Sequence, residues 1–338
     1  MATVAAALPG GGRRGRTRRA RLQPYLYLVP AFAVMAIITF YPLIFQVWMS
    51  FTDFGAKSFN VRLHVAPNFV GLDNYVRIAE SNLQIPNFEF ARLVLFNLWW
   101  ALSNVVVHVI LGVLIAVVLN NKGLWFKGIY RALFIIPVVI PSIIVATVWR
   151  NMFDTDAGAV NFLLQALGGL IGIPADNPAF HLNWLNQVND PISFIPLPLA
   201  YFAMITANTW LGWPLNSVVA TGALQSIPGD LYEAAEMDGA SAWQKFRNVT
   251  IPFLRPAMLP YAIYGFVITF NLFFLPYFMT GGNPFGRTEI LVTQAYRLAN
   301  ERQLYGVAAA FAVYLFFLLL IVTLITNRLA KATKSYAE

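Results

Sequence analysis

The chain has no cysteine among its 338 residues, which removes disulfides, thiolate metal sites and cysteine nucleophiles. Charge is scarce too: 11% of residues are charged and 58% are hydrophobic, where an ordinary soluble domain carries about a quarter charged. No G-x-x-x-x-G-K-[ST] phosphate loop occurs, so no nucleotide site of that kind is written here. His64, His108 and His181 stand far apart, with no partner at metal-ligand spacing, so neither a metal site nor a catalytic residue is expected. The long apolar runs contain no Asp or Glu. Carriers driven by protons or sodium place acids there to bind the driving ion, and that class is disfavoured accordingly.

What is abundant is apolar sequence in blocks of membrane-spanning length. Six candidate helices fall at about 26–50, 92–119, 129–152, 195–223, 257–280 and 305–328, each near the roughly 20 residues needed to cross a bilayer. The fold class predicted is an all-α polytopic membrane protein. Residues 1–24 read as a basic, disordered tail and 25–338 as one transmembrane domain. The first run is longer than a secretion signal's apolar core and no small-residue cleavage site follows it, so it reads as a retained anchor. Pro137, Pro141 and Pro214 fall inside runs, where breaks are tolerated if neighbours or a cavity re-satisfy the backbone.

The net charge of +8 is concentrated. Arg13, Arg14, Arg16, Arg18, Arg19 and Arg21 precede the first run, which points to anionic lipid headgroups and not to nucleic acid. Basic residues recur at Lys122, Lys127 and Arg131, at Lys245, Arg247 and Arg255, and at Arg328, Lys331 and Lys334. The alternate connections hold Asp53, Asp73, Glu80, Asp154, Asp156, Asp176 and Asp190. This bias predicts that both termini are cytoplasmic. Within the runs the polar groups are neutral: Ser103, Asn104, Thr206, Asn208, Thr209, Asn216, Thr269 and Asn271, with Trp210 and Trp213 beside Gly212 and Pro214. Amides and indole faces suit an uncharged, hydroxyl-rich cargo; the same groups equally serve to bond helices together. His108, in the middle of a run, reads as a neutral packing residue or as a functional one.

One polar stretch interrupts the C-terminal half: residues 224–256, containing DLYEAAEMDGASAWQKFRNVTIPFLRP. Asp230 with Glu233 three positions on predicts a capping box opening a helix over Leu231–Met237. Asp238-Gly239 predicts its end. A second start is expected at Ser241, and Ile251-Pro252 and Arg255-Pro256 are expected to turn the chain back into the membrane. The result is a stiff helix–Gly–helix with a small-residue face formed by Ala234 and Ala235, suited to a protein partner or, alternatively, to rest on the headgroups.

These residues resemble the signature of the permease subunits of binding-protein-dependent ABC importers. It stands here as Glu233-Ala234-Ala235, Asp238-Gly239-Ala240, Phe246, Val249, Ile251-Pro252 and Pro256. YRALFIIPVVIPS, NTWLGWP and GALQSIPGDLYEAAEMDGA extend the likeness to the larger subunit of maltose-type sugar importers. The resemblance implies a type I importer fold in a prokaryotic inner membrane. It implies a second permease as heterodimer partner, an extracytoplasmic solute-binding protein, and two cytoplasmic ATPases that carry ATP and Mg and receive Glu233, Ala234, Ala235, Asp238 and Gly239. No cofactor is implied for this chain. It also implies a mid-membrane sugar site at Asn208, Leu211, Gly212, Leu215, Thr269 and Asn271. The family pattern has aromatics where this chain has Val138 and Leu215, and is richer in asparagine where it has Thr269 and Leu272, so the expected cargo is a maltose- or trehalose-like di- or oligosaccharide of open identity. A polyol or glycerol-phosphate importer, an ion-coupled carrier, and a receptor without cargo are the rival readings.

Overall fold

Long apolar runs in a chain that must satisfy every backbone group internally dictate helices, and helices are what form. The computed structural model describes residues 13–59, 66–121, 123–192 and 195–330. Among them the only β-pairing is one isolated bridge, Thr52 with Phe69.

Helix α1 (Arg13–Met35) passes through a π-turn, Ala36–Phe40, into α2 (Tyr41–Met49). The chain is thus already helical from Arg13, inside the stretch expected to be a disordered tail; residues 1–12 lie outside the described ones. The short α3 (Asp73–Ala79) precedes the long α4 (Phe90–Asn120). The expected third span is two helices, α5 (Lys127–Val139) and α6 (Ser142–Met152), bent by 97° at Ile140-Pro141. Proline has no N–H to continue the helix and pushes the residue before it to extended backbone, and Ile140 is extended (φ −77°, ψ 127°). Helix α7 (Ala159–Leu170) lies in the connection before α8 (Leu199–Gln225).

After α8 come α9 (Gly229–Met237) and α10 (Ala242–Lys245). A π-turn at Phe246–Thr250 leads straight into α11 (Ile251–Phe270). The expected turn at Ile251-Pro252 is therefore absent: the wider π-turn shifts the hydrogen-bond register just where Pro252 cannot donate. The same device stands before Pro42, after the π-turn Ala36–Phe40. The fifth span also ends earlier than expected, at Phe270, and is followed by a break and a π-turn at Pro276–Thr280. Helices α12 (Leu291–Tyr296) and α13 (Tyr305–Ala330) complete the described chain.

Among the described residues four helical stretches are long and apolar enough to cross a membrane, namely Gln23–Met49, Phe90–Asn120, Ala242–Phe270 and Tyr305–Arg328, and the bent α5–α6 pair makes a fifth when taken as one span. Helix α8 is not among them. Its 27 residues reach about 40 Å at 1.5 Å per residue, but its Thr, Asn and Ser side chains dilute the apolar run. The amides and one hydroxyl are sheltered by protein: Asn208, Asn216 and Ser217 are buried.

The core is organised by α4. Its Leu93 and Ala101 join α13 residues such as Phe311. Phe96 and Trp100 join Tyr201 and Met204 of α8 with Leu275 and Met279, and Ala116 joins Ala220, Leu224, Leu254 and Met258. By contrast, Tyr27, Phe32, Ile37 and Ile38 of the first helix stand exposed in the isolated chain, as side chains destined for hydrocarbon or a partner helix do.

Candidate functional site

The polar groups of α8 meet α4 in a ladder with a four-residue step. Asn208 donates from Nδ2 to Asn104 Oδ1 at 2.7 Å, and Asn104 donates to the Trp100 carbonyl at 2.7 Å. One turn on, the His108 imidazole fills the hollow left by Gly212, where a Cβ would collide with the ring. One turn further, Gly112 of α4 receives Asn216 of α8 in the same way. The pairs 104–208, 108–212 and 112–216 keep a constant offset, so the two helices run parallel. Small residues at such crossings let backbones approach closely, and i, i+4 ridges interdigitate. Tyr201 adds a bond from its hydroxyl to Ser103 Oγ at 2.8 Å.

On its other side α4 braces the broken end of α11. The fully buried Asn97 donates to the Phe270 carbonyl at 3.1 Å and accepts from the Leu291 N–H at 2.7 Å. One amide thus satisfies the orphan carbonyl of one helix end and the orphan N–H of the next start. Val105 faces Gly265, so α4 and α11 run antiparallel.

The expected cargo residues are distributed around this three-helix unit. Asn208 is 4% exposed and engaged with Asn104, and Thr269 is buried at the end of α11. Leu211 and Gly212 are half-buried, and Leu215, at 41% exposure, faces outward. Asn271 is half-buried and donates to the Val267 carbonyl at 3.0 Å. The α8 face turned to α5 and α6 borders two clefts. One of about 360 Å³ is lined by Arg131, Phe134, Pro214, Ser217, Thr221 and Gln225. The other, also about 360 Å³, is mainly apolar and holds Trp149 and Trp210, whose rings lie 6.3 Å apart. Asn208 and Thr269 line neither.

The polar loop is a separate construction. Helix α9 buries no residue, and Met237 is 89% exposed; Glu233, Ala234, Asp238 and Gly239 are exposed and Ala235 half-buried. Its end is a Schellman arrangement: Ala240 N–H bonds to the Ala235 carbonyl and Gly239 N–H to that of Glu236. Gly239 sits at φ +72°, the left-handed position glycine adopts without a Cβ penalty. The capping box expected at Asp230 and Glu233 is absent. The helix starts two residues earlier, at Gly229 after Pro228, which leaves Asp230 in the first turn, where its charge meets the helix dipole. A box does form at the second start, between Ser241 and Gln244.

Two ties brace the hinge. Lys245 Nζ reaches Glu236 Oε1 at 2.7 Å, and the Tyr232 and Thr250 hydroxyls meet at 2.9 Å. The Lys245 hydrogen bond, reinforced by its charge, holds the Glu236 carboxyl below the usual carboxylate range.

On the opposite face, Arg287 fastens the connection before α8: it pairs with Asp190 at 2.7 Å and donates to the Val188 and Pro196 carbonyls. Glu289, nearly buried, pairs with Arg297, which also holds Glu301 and the Gly281 carbonyl. Sequence reasoning did not single out Asn97, Glu289 or Arg297. Asn97, Asn104 and His108 do share a helical face spacing, but the partners of Asn97 lie 173 and 194 residues away.

Comparison with known proteins places the chain. A maltodextrin transport system permease of Streptococcus pneumoniae is 31% identical over 313 residues, covering 89% of this chain and 68% of its own. A trehalose/maltose transport system permease of Thermococcus litoralis is 30% identical, covering 89% and 91%. A galactooligosaccharides transport system permease of Bacillus subtilis is 29% identical, covering 93% and 71%. The fold is shared with a bacterial ABC transporter involved in the import of the acidic polysaccharide alginate, with TM-score 0.70 at 19% identity over 96% of this chain. The family described as "binding-protein-dependent transport system inner membrane component" matches residues 108–335, well over half of the sequence. The chain therefore belongs to that family, the permease subunits of ABC importers.

Proposed function

We propose that this chain moves an uncharged di- or oligosaccharide of the maltose or trehalose class into the cytoplasm by alternating access. The observation that carries the reading is the pairing of acid-free helices with a seam of neutral amides and hydroxyls at Ser103, Asn104, Tyr201 and Asn208. Neutral hydrogen-bonding groups in a low-dielectric setting match hydroxyls without the cost of a buried charge. The names of relatives at about 30% identity point to the same cargo class. A phosphorylated cargo would call for an arginine inside the bundle. Arg92 and Arg150 instead lie at the ends of α4 and α6, and Arg92 is engaged with the Asn87 carbonyl.

The chain works beside a second permease, and a solute-binding protein delivers cargo to the face carrying the Arg287 and Arg297 ties. Both termini and the 224–256 loop are cytoplasmic, in keeping with the basic residues that flank them. Two ATPase subunits, with their own ATP and Mg, take α9 into a cleft, so that their closure moves α8 and α11 from the ends nearest the loop. Cargo contacts come from Asn208, Leu211, Gly212, Leu215, Thr269 and Asn271. ATPase contacts come from Glu233, Ala234, Ala235, Asp238 and Gly239.

The test is uptake by cells carrying this permease with its neighbouring permease, ATPase and binding-protein genes. Radiolabelled maltose, trehalose, maltotriose and glycerol 3-phosphate are compared. Uptake of one of the three sugars, lost on deleting this chain, is the predicted result; uptake of glycerol 3-phosphate alone overturns the sugar assignment.

A further inference from the structure

Two buried polar side-chain atoms, Trp100 Nε1 and His108 Nε2, have neither a hydrogen-bond nor an ion-pair partner among the described residues. Both sit in the α4–α8 seam, one turn on either side of the Asn104–Asn208 pair. His108 is 6% exposed. Its ring lies beside the Asn208 backbone carbonyl and occupies the space that a Gly212 side chain would take. An apolar side chain of similar volume would fill that hollow without stranding a polar atom, and an unpaired buried group weakens the packed state. A residue that breaks a local rule of stability without local compensation marks a functional position.

We propose that His108 is a positioning residue for cargo recognition. It seats Gly212 and Asn208 of α8 at a fixed depth on α4, and its Nε2 gains a partner only when the seam adjusts around a hydroxylated cargo. The proposal rests on the sugar site read above. It treats the glycine at 212 as a requirement of the imidazole behind it. Two consequences distinguish this role from simple packing. Replacing His108 by leucine removes the stranded nitrogen, so it leaves the unfolding temperature unchanged or raised while weakening cargo recognition. Replacing Gly212 by alanine disrupts the seam, and His108→Ala in the same chain opens the room that the methyl needs.

The experiment measures, in the assembled transporter, thermal unfolding and the half-saturation concentration for radiolabelled maltose and maltotriose. The variants are His108→Leu, His108→Gln, Gly212→Ala, Gly212→Ala with His108→Ala, and Asn208→Ala. His108→Leu should raise half-saturation about tenfold, as loss of one hydrogen bond to a buried polar group does, with no drop in unfolding temperature. His108→Gln, which keeps a donor and an acceptor, should stay within about threefold of the parent. The double variant should unfold at a higher temperature than Gly212→Ala alone. Unchanged half-saturation in His108→Leu, or equal losses of stability and recognition in both His108 variants, overturns the proposal. The Asn208→Ala arm separates the two readings. If it too is unchanged, the sugar site itself is misplaced; if it alone weakens uptake, only the role of His108 is wrong.

Discussion

The α4–α8 seam and the α9–α10 hinge are both built from small and polar residues, yet they are solved in opposite ways. In the seam, Asn104, Asn208 and Asn216 are buried and Gly112 and Gly212 are hollows filled by the facing helix. In the hinge, Ala234 and Gly239 are exposed, and a Cβ at Gly239 would meet no atom of the described residues. Glycine serves close approach in the first place and backbone direction in the second. The seam's stability therefore depends on its interior contacts, whereas the hinge holds its shape locally, through a Schellman end, a capping box and the Lys245–Glu236 tie, and keeps its surface free. A part that stays rigid without being buried is suited to pass force to a partner. A part that is buried and polar is suited to recognise.

If that contrast holds, the two regions fail differently. Gly239→Pro should have the largest effect on transport. Proline fixes φ near −65° where the hinge needs +72°, and it deletes the N–H bonded to Glu236. Uptake should fall more than about tenfold while the unfolding of the bundle, followed by heating the purified complex, is little changed. Asn97→Ala should do the reverse. It strands the Phe270 carbonyl and the Leu291 N–H in the core, costing about 2–5 kcal/mol, and chemical denaturation should show the loss even without partners bound. Lys245→Ala should be the mildest. Because Lys245 lowers the Glu236 pKa, the tie contributes fully above the ordinary carboxylate range and fades as pH falls through the lowered value. Uptake in the variant should lose that acid-side decline, and high salt should mimic it in the parent.

The spans and the hinge were legible in the sequence because their causes are local. Apolar runs of membrane length, Asp238-Gly239 at a helix end and Ser241 at the next helix start each act within a few residues. Even there the start of α9 differs from the expected one, since Pro228-Gly229 sets it ahead of Asp230. What the sequence withheld depends on partners distant in the chain. Nothing near Asn97 announces Phe270 or Leu291, and nothing near Gly212 announces His108. The bend at Pro141 was visible as a proline but not as 97°; α5 packs on α8, whereas α6 packs mainly on the π-turn Pro276–Thr280, a partner distant in the chain. Helix α8 has the length of a plain span in the sequence, yet its buried Asn208, Asn216 and Ser217 depend on neighbouring helices such as α4 for shelter.

The division of labour between the two regions is tested most directly by pairing Asn208→Ala with Glu233→Lys in the assembled transporter. Two quantities are read: the half-saturation concentration for maltose and maltotriose uptake, and the fraction of ATPase subunit retained on purification. The account predicts that Asn208→Ala raises half-saturation and retains the ATPase, whereas Glu233→Lys loses the ATPase. Retention of ATPase and full uptake in Glu233→Lys, or loss of ATPase in Asn208→Ala, would contradict it.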